Sequence, residues 1–213
     1  MASNIKIRNI EQLEEELTKD LSWRKKEMLS LKILIEKDSV NENILLRAGM
    51  ALLCAHFEGF IKKASNCYIG YVSEQKIKYK DLRSSFAAIK MENEFKTCSK
   101  SEKNSVHSKL INKYKSIEES KFKEKYDLDN PYISKIDELK EIMNVLGIES
   151  DIFETKSHYI DASLLANRHK VVHGDKTEFT KEDFITTYNI IMKLIDDYEA
   201  LIVQSIEEKK YLK

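Results

Sequence analysis

The chain has 213 residues, 42% apolar and 34% charged, with 36 basic residues balanced by 36 acidic ones. That length suits one sizeable domain with its own core, the apolar share excludes wholesale disorder, and the zero net charge offers no global basic field to nucleic acid. Five Gly and one Pro are too few for the turns of a β-protein this long, so an all-α chain of long helices and short polar loops is expected.

A first helix is predicted over residues 10–36, where Ile10, Leu13, Leu17, Leu21, Met28, Leu31 and Ile35 recur at helical steps. Ser39-Val40-Asn41 breaks the pattern, with Asn41 placed as a cap. The second helix, over 42–75, is the most apolar stretch. Leu46, Met50, Leu53, Phe57, Phe60 or Ile61, Ala64, Tyr68 and Tyr71 or Val72 mark one face, and Leu45, Leu52 and Cys54 widen it. Such a helix belongs at the centre, and the first two helices should form a long antiparallel hairpin.

Residues 76–125 hold 14 Lys or Arg against 7 Asp or Glu. Short helices are expected near 80–90 and 101–122. The excess charge reads either as a solvated face or as a surface that follows an RNA backbone. Leu128-Asp129-Asn130-Pro131 is a loop. A helix is predicted from Ser134 to Leu146, stopped by Gly147, and another ends at Gly174. The last follows a Thr180 cap, with Asp183 closing a capping box, and runs to about Glu207. Phe184, Tyr188, Ile191, Ile195, Tyr198 and Ile202 form its inner face. Residues 176–208 carry 3 basic and 8 acidic residues, so charge is segregated along the chain. With no repeat and no linker, residues 1–213 read as a single domain of up to seven helices.

Cys54, Cys67 and Cys98 lack metal-ligand spacing and suit a reducing compartment. His158, His169 and His173 fit no standard zinc pattern, so neither metal nor cofactor is expected. The N-terminus lacks a signal-peptide pattern, and no stretch reads as a membrane span of ~20 apolar residues. A cytoplasmic protein without a membrane partner is expected.

Lys outnumbers Arg 31 to 5, so each Arg position carries information. The sharpest signal is Arg168-His169-Lys170-Val171-Val172-His173-Gly174. Five residues turn about 140° around a regular helix, which would separate Arg168 from His173. Gly174 is a natural C′ residue, however, so His173 falls at the helix end, where its ring can swing back. Leu164, Leu165, Val171 and Val172 would hold this helix on the core, and Asn167, Arg168, His169 and Lys170 would give a polar edge. Histidine side chains exchange protons near neutral pH, and a guanidinium clamps phosphate through paired hydrogen bonds. Such a pair suffices for metal-free RNA cleavage in which the 2′-OH attacks the adjacent phosphorus. The products would be a 2′,3′-cyclic phosphate and a 5′-OH.

The segment RHKVVH resembles the R-x4–6-H motif of HEPN-superfamily ribonucleases, with His169 at the polar position after the Arg. LLCAHFEGFIKKASNCYIGYV, residues 52–72, is similar to the second-helix signature of one HEPN group, with its Ala-His-aromatic-Glu-Gly core. The resemblance implies an HEPN-like helical bundle with a long antiparallel helix pair and additional shorter helices. It implies that Arg168 and His173 are catalytic and that His169 orients the site or touches phosphate. It also implies a homodimer with two motifs facing one cleft, RNA as substrate, and a role as effector or toxin of a prokaryotic defence or toxin–antitoxin system, with an antitoxin or defence-system partner. Asp175 stands where some HEPN toxins carry a Tyr, which leaves silencing by Tyr modification without its residue.

Other readings stand beside these. His173 can cap its helix, and Arg168 can pair with Asp161 or Asp175. Glu58, in the most buried helix, needs a partner: either Lys62 one turn on, or Arg168 or His173 in a site it orients. Asn167 and Lys170 would support phosphate binding. His56 is read as packing, as are Tyr68, Tyr71, Tyr79, Tyr114 and Tyr126. The competing function is a non-catalytic HEPN module that binds a partner such as a nucleotidyltransferase.

Overall fold

The computed structural model describes residues 6–37, 40–123, 136–149 and 166–213, together with Phe153 and Ile160. The loop expected at 128–131, the helix start at Ser134, Tyr126, His158, Asp161, Leu164, Leu165 and the side chain of His169 lie outside the described residues. The described helices are α1 (Ile10–Lys37), α2 (Glu42–Glu74), α3 (Ser84–Lys90), α4 (Glu92–Cys98), α5 (Asn104–Ile117), α6 (Ile136–Leu146), α7 (Ala166–Val172) and α8 (Lys181–Glu207). A 3-10 turn spans Tyr79–Asp81. Among the described residues there is no strand, only the isolated bridges Lys78–Lys121 and Leu82–Leu212. The chain is all-α.

Three long helices build the core, and named contacts fix their register. Along α1 and α2, Arg8 O accepts from Gln75 Nε2 at 3.1 Å. Lys63 Nζ meets Glu16 Oε2 at 3.0 Å. Ile35 packs beside Gly49. Residue numbers rise on one helix as they fall on the other, so the pair is antiparallel, as expected. Between α2 and α8, Lys181 meets Glu42 at 3.3 Å, and the Ser65 and Tyr198 hydroxyls are 2.7 Å apart. These two helices run parallel. Lys25 and Asp196, 2.6 Å apart, tie α1 to α8.

The predicted faces are the buried ones. Leu13, Leu17, Leu21, Met28 and Ile35 of α1 meet Leu46, Leu53, Phe57, Phe60, Ala64 and Tyr68 of α2, with Phe184, Ile191, Ile195, Tyr198 and Ile202 of α8 closing the layer. Burying each large apolar side chain contributes about 1.5–3 kcal/mol. Tyr68, Tyr71 and Tyr79 are core residues as well. Contrary to the sequence expectation, α2 is by length and composition long and apolar enough to cross a membrane. Its apolar face is packed against α1, α6, α7 and α8.

The expected local signals hold at Gly147, which takes φ +71° after α6, and at Thr180. Thr180 Oγ1 accepts from Asp183 N at 3.1 Å, and Asp183 Oδ2 accepts from Thr180 N at 2.9 Å, which completes the capping box. Asn41 occupies the N-cap of α2 but makes no side-chain cap bond there. The middle differs more. The expected helix over 101–122 stops at Ile117, because the chain must turn for Phe122 N to reach Ile77 O at 2.8 Å. That turn stacks Phe122 edge-on against Tyr79 and Phe86. The unforeseen α4 buries no residue, so its sequence shows no apolar period.

Candidate functional site

Arg168 lies on α7, which packs across α2. Its Nη1 sits 2.9 Å from Glu58 Oε1. The approach is off the line of a hydrogen bond, so the contact is an ion pair with no aligned donor on Oε1. Glu58 is 7% exposed in the middle of α2. The long-range partner Arg168, rather than Lys62 one turn away, makes the close ion pair with Glu58. Burial pushes the Glu58 carboxyl above its ordinary value, against the pull of Arg168 and then Lys62. Cys54, one turn earlier, feels the same pair: burial first, then Glu58, holds its thiol protonated.

His173 follows the last residue of α7 and is exposed. Gly174 takes φ +82°, a conformation in which a Cβ is strained. Gly174 N donates to Val171 O at 3.2 Å and Asp175 N to Lys170 O at 2.9 Å. This is a Schellman closure with His173 as the C-cap and Gly174 as C′, as the sequence led one to expect. Arg47 of α2 then holds the outgoing segment, donating from Nη1 to Asp175 O at 2.7 Å and Thr177 O at 3.3 Å. Sequence reasoning missed Arg47, although the scarcity of Arg was the available signal.

The other predicted residues separate. Asn167 is half-buried and Lys170 exposed. Val171 packs on the core, but Val172, the last residue of α7, is 59% exposed. It does not help hold α7. The geometry thus joins Glu58 and Arg168 across two helices and puts His173 on the surface at the end of the same helix. Among the described residues, no three His, Cys, Asp or Glu side chains gather as metal ligands would.

The second-helix signature has a tertiary explanation residue by residue. Phe57 is core, and Glu58 holds Arg168. His56, 2% exposed, is more than packing. Its Nε2 lies 2.7 Å from Glu27 Oε2, its Nδ1 is 3.4 Å from Arg24 Nη1, and Trp23 stacks edge-on at 5.2 Å. Arg24 is held by Asp20 at 2.6 Å. A Cβ on Gly59 would stand 2.7 Å from Arg24 Nη1, so Gly59 makes room for that guanidinium. Burial, then the Arg24 charge, lowers the His56 pKa against the opposing pull of Glu27 and Asp20.

A family model described as RiboL-PSP-HEPN matches residues 19–204, most of the chain. Comparison with curated proteins found no match, and neither did comparison with solved structures.

Proposed function

The chain belongs to the RiboL-PSP-HEPN family, and from that premise we propose that it is a metal-independent endoribonuclease acting through Arg168 and His173. The observation that carries the reading is the motif's setting: Arg168 is oriented by a buried carboxylate while His173 stands exposed at the capped end of the same helix.

In the proposed reaction the 2′-OH attacks the neighbouring phosphorus and the bond to the 5′-oxygen breaks. His173 takes the proton from the 2′-OH, or in a second copy gives one to the leaving oxygen. Arg168 stabilises the charge that builds on the phosphoryl oxygens, pre-aimed by Glu58. Asn167, His169 and Lys170 lie on the same helix to contact phosphate. A homodimer would bring two motifs to one cleft and supply acid and base together. The biological role proposed is that of an effector or toxin in a prokaryotic defence or toxin–antitoxin system, acting in the cytoplasm and held by an antitoxin or other partner.

The test is cleavage of mixed RNAs in EDTA by the purified wild type beside His173→Ala and Arg168→Ala. Cleavage by the wild type alone, leaving cyclic-phosphate ends, supports the assignment. Equal cleavage by all three, or none by the folded wild type, removes it. One observation favours a second reading. The Arg168 side chain is only 17% exposed and already neutralised by Glu58, which also suits an ion pair that merely locks α7 in a partner-binding module. That module predicts a stable complex, for instance with a nucleotidyltransferase, and no cleavage.

A further inference from the structure

α5 carries Lys109, Lys113 and Lys115 and no acidic residue over its 14 positions. The long helices differ. α1 mixes seven acidic with six basic residues, and α8 has six acidic against two basic. At 100° per residue, Ser105, Lys109, Asn112, Lys113 and Ser116 share one side of α5, and all five are exposed. Val106, Leu110 and Tyr114 beside them are partly buried, and Ile117 is buried.

Among the described residues the charge on this side is not neutralised. Lys78 and Lys80 share Glu119, and Lys96 pairs with Glu92. Lys100, Lys103, Lys109, Lys113 and Lys115 form no ion pair among the described residues. Glu94 lines the same groove between α4 and α5 as Lys109 and Lys113 without closing onto either. Like charges four residues apart on a helix oppose its folding by about 0.2–0.5 kcal/mol. An acid at an adjoining exposed position of this face would relieve that repulsion, and the chain has Ser105, Asn112 and Ser116 there instead. Ammoniums interleaved with the Ser105 hydroxyl and the Asn112 amide match what a sugar–phosphate backbone accepts, while the Ser116 hydroxyl donates to Lys113 O at 2.7 Å. A protein partner would call for an apolar centre. Ile111, the exposed apolar residue of α5, lies on the far side of the helix from Lys109.

We propose that the Ser105–Lys109–Asn112–Lys113–Ser116 face of α5 is an RNA exosite that follows the sugar–phosphate backbone without reading bases. The choice of RNA as the polyanion rests on the nuclease reading. The face runs ~17 Å along the helix, with the two ammoniums ~6 Å apart on its axis. The segment after α5 docks on residues 77–80, just past the C-terminal end of α2. Glu58 lies ~25 Å back along α2 from that end. The exosite and the Arg168–His173 motif therefore hold different parts of one strand, and the exosite contributes to affinity rather than to bond cleavage.

The test measures binding directly. A fluorescently labelled single-stranded RNA is titrated with the full chain carrying His173→Ala, in EDTA, at salt from roughly 50 to 200 mM. The same titration follows with Lys109→Gln/Lys113→Gln added, and with Lys26→Gln/Lys37→Gln as a control on exposed α1 lysines. Neutralising the α5 pair is expected to weaken binding on the order of tenfold and to flatten the salt slope by about 1.4, at ~0.7 per phosphate contact. The α1 control should stay near the parent. Unchanged affinity and slope in the α5 variant, or no RNA binding by the parent, overturns the exosite. The two readings fail separately. Wild type that binds RNA through these lysines but leaves it intact sinks the nuclease and keeps the exosite. Cleavage that persists in Lys109→Gln/Lys113→Gln with His173 intact, together with unchanged affinity of the same pair in the His173→Ala background, sinks only the exosite.

Discussion

Removing Arg168 strips the counter-ion from a carboxylate that is 7% exposed. Breaking a fully buried pair by deleting one partner costs about 3–5 kcal/mol. The Arg168 side chain keeps 17% exposure and its contact lacks hydrogen-bond alignment, so roughly 2 kcal/mol is expected for Arg168→Ala. In a chain of this length that corresponds to a Tm lower by ~4–8 °C. Glu58→Gln should cost less, and adding it to Arg168→Ala should return ~1 kcal/mol or more, because the orphaned charge is then gone. The deficit also has a pH signature. The Glu58 pKa is already raised by burial against the pull of Arg168, and losing Arg168 raises it further. The folded variant therefore takes up a proton that its unfolded chain does not, and it regains stability relative to the wild type as pH falls toward the carboxylate range. Urea denaturation at neutral and mildly acidic pH measures all of this. A loss below ~0.5 kcal/mol at neutral pH, or simple additivity in the double variant, would mean that the ion pair carries no energy and cannot orient Arg168. Arg168→Lys separates the two roles of this side chain. An ammonium keeps much of the pairing with Glu58 but lacks the planar fork, so stability is largely retained while cleavage is lost.

His56 sets a second pH dependence. Its folded pKa lies below the ordinary 6.5, so as pH falls the unfolded chain binds the proton first and stability declines below about 6.5. Urea midpoints should drop from roughly pH 7.5 to 5.5, with a shallower slope in His56→Gln; an identical slope would clear His56 of that role. At Gly49 side chains of α1 and α8 close on α2, so that a Cβ would stand 2.7 Å from Phe184 Cε2 and 3.0 Å from Ile35 Cδ1. Overpacking of about 1–3 kcal/mol should outweigh the ~1 kcal/mol helix-propensity gain of Gly49→Ala. A variant with raised Tm would show that Phe184 moves aside freely.

The three core helices were legible because each repeats apolar residues at three-, four- or seven-residue steps over seven or more turns, and a long period leaves little choice of face. The Schellman end at Gly174 and the capping box at Thr180 were legible for a different reason: both close through bonds between residues three to five apart. α4 was not legible, since it buries nothing, and the end of α5 was not, since the Phe122–Ile77 contact spans 45 positions.

At the candidate site the same division holds. The residue types, the spacing of Arg168 and His173, and the stop at Gly174 are local, and the sequence alone determined them. Which carboxylate answers Arg168, what Arg24 and Arg47 hold, and why His56 and Gly59 accompany Glu58 were decided only by the tertiary structure. Lys62 was near in sequence, but long side chains reach across helices as readily as along one, and a buried charge takes the partner that the packing delivers.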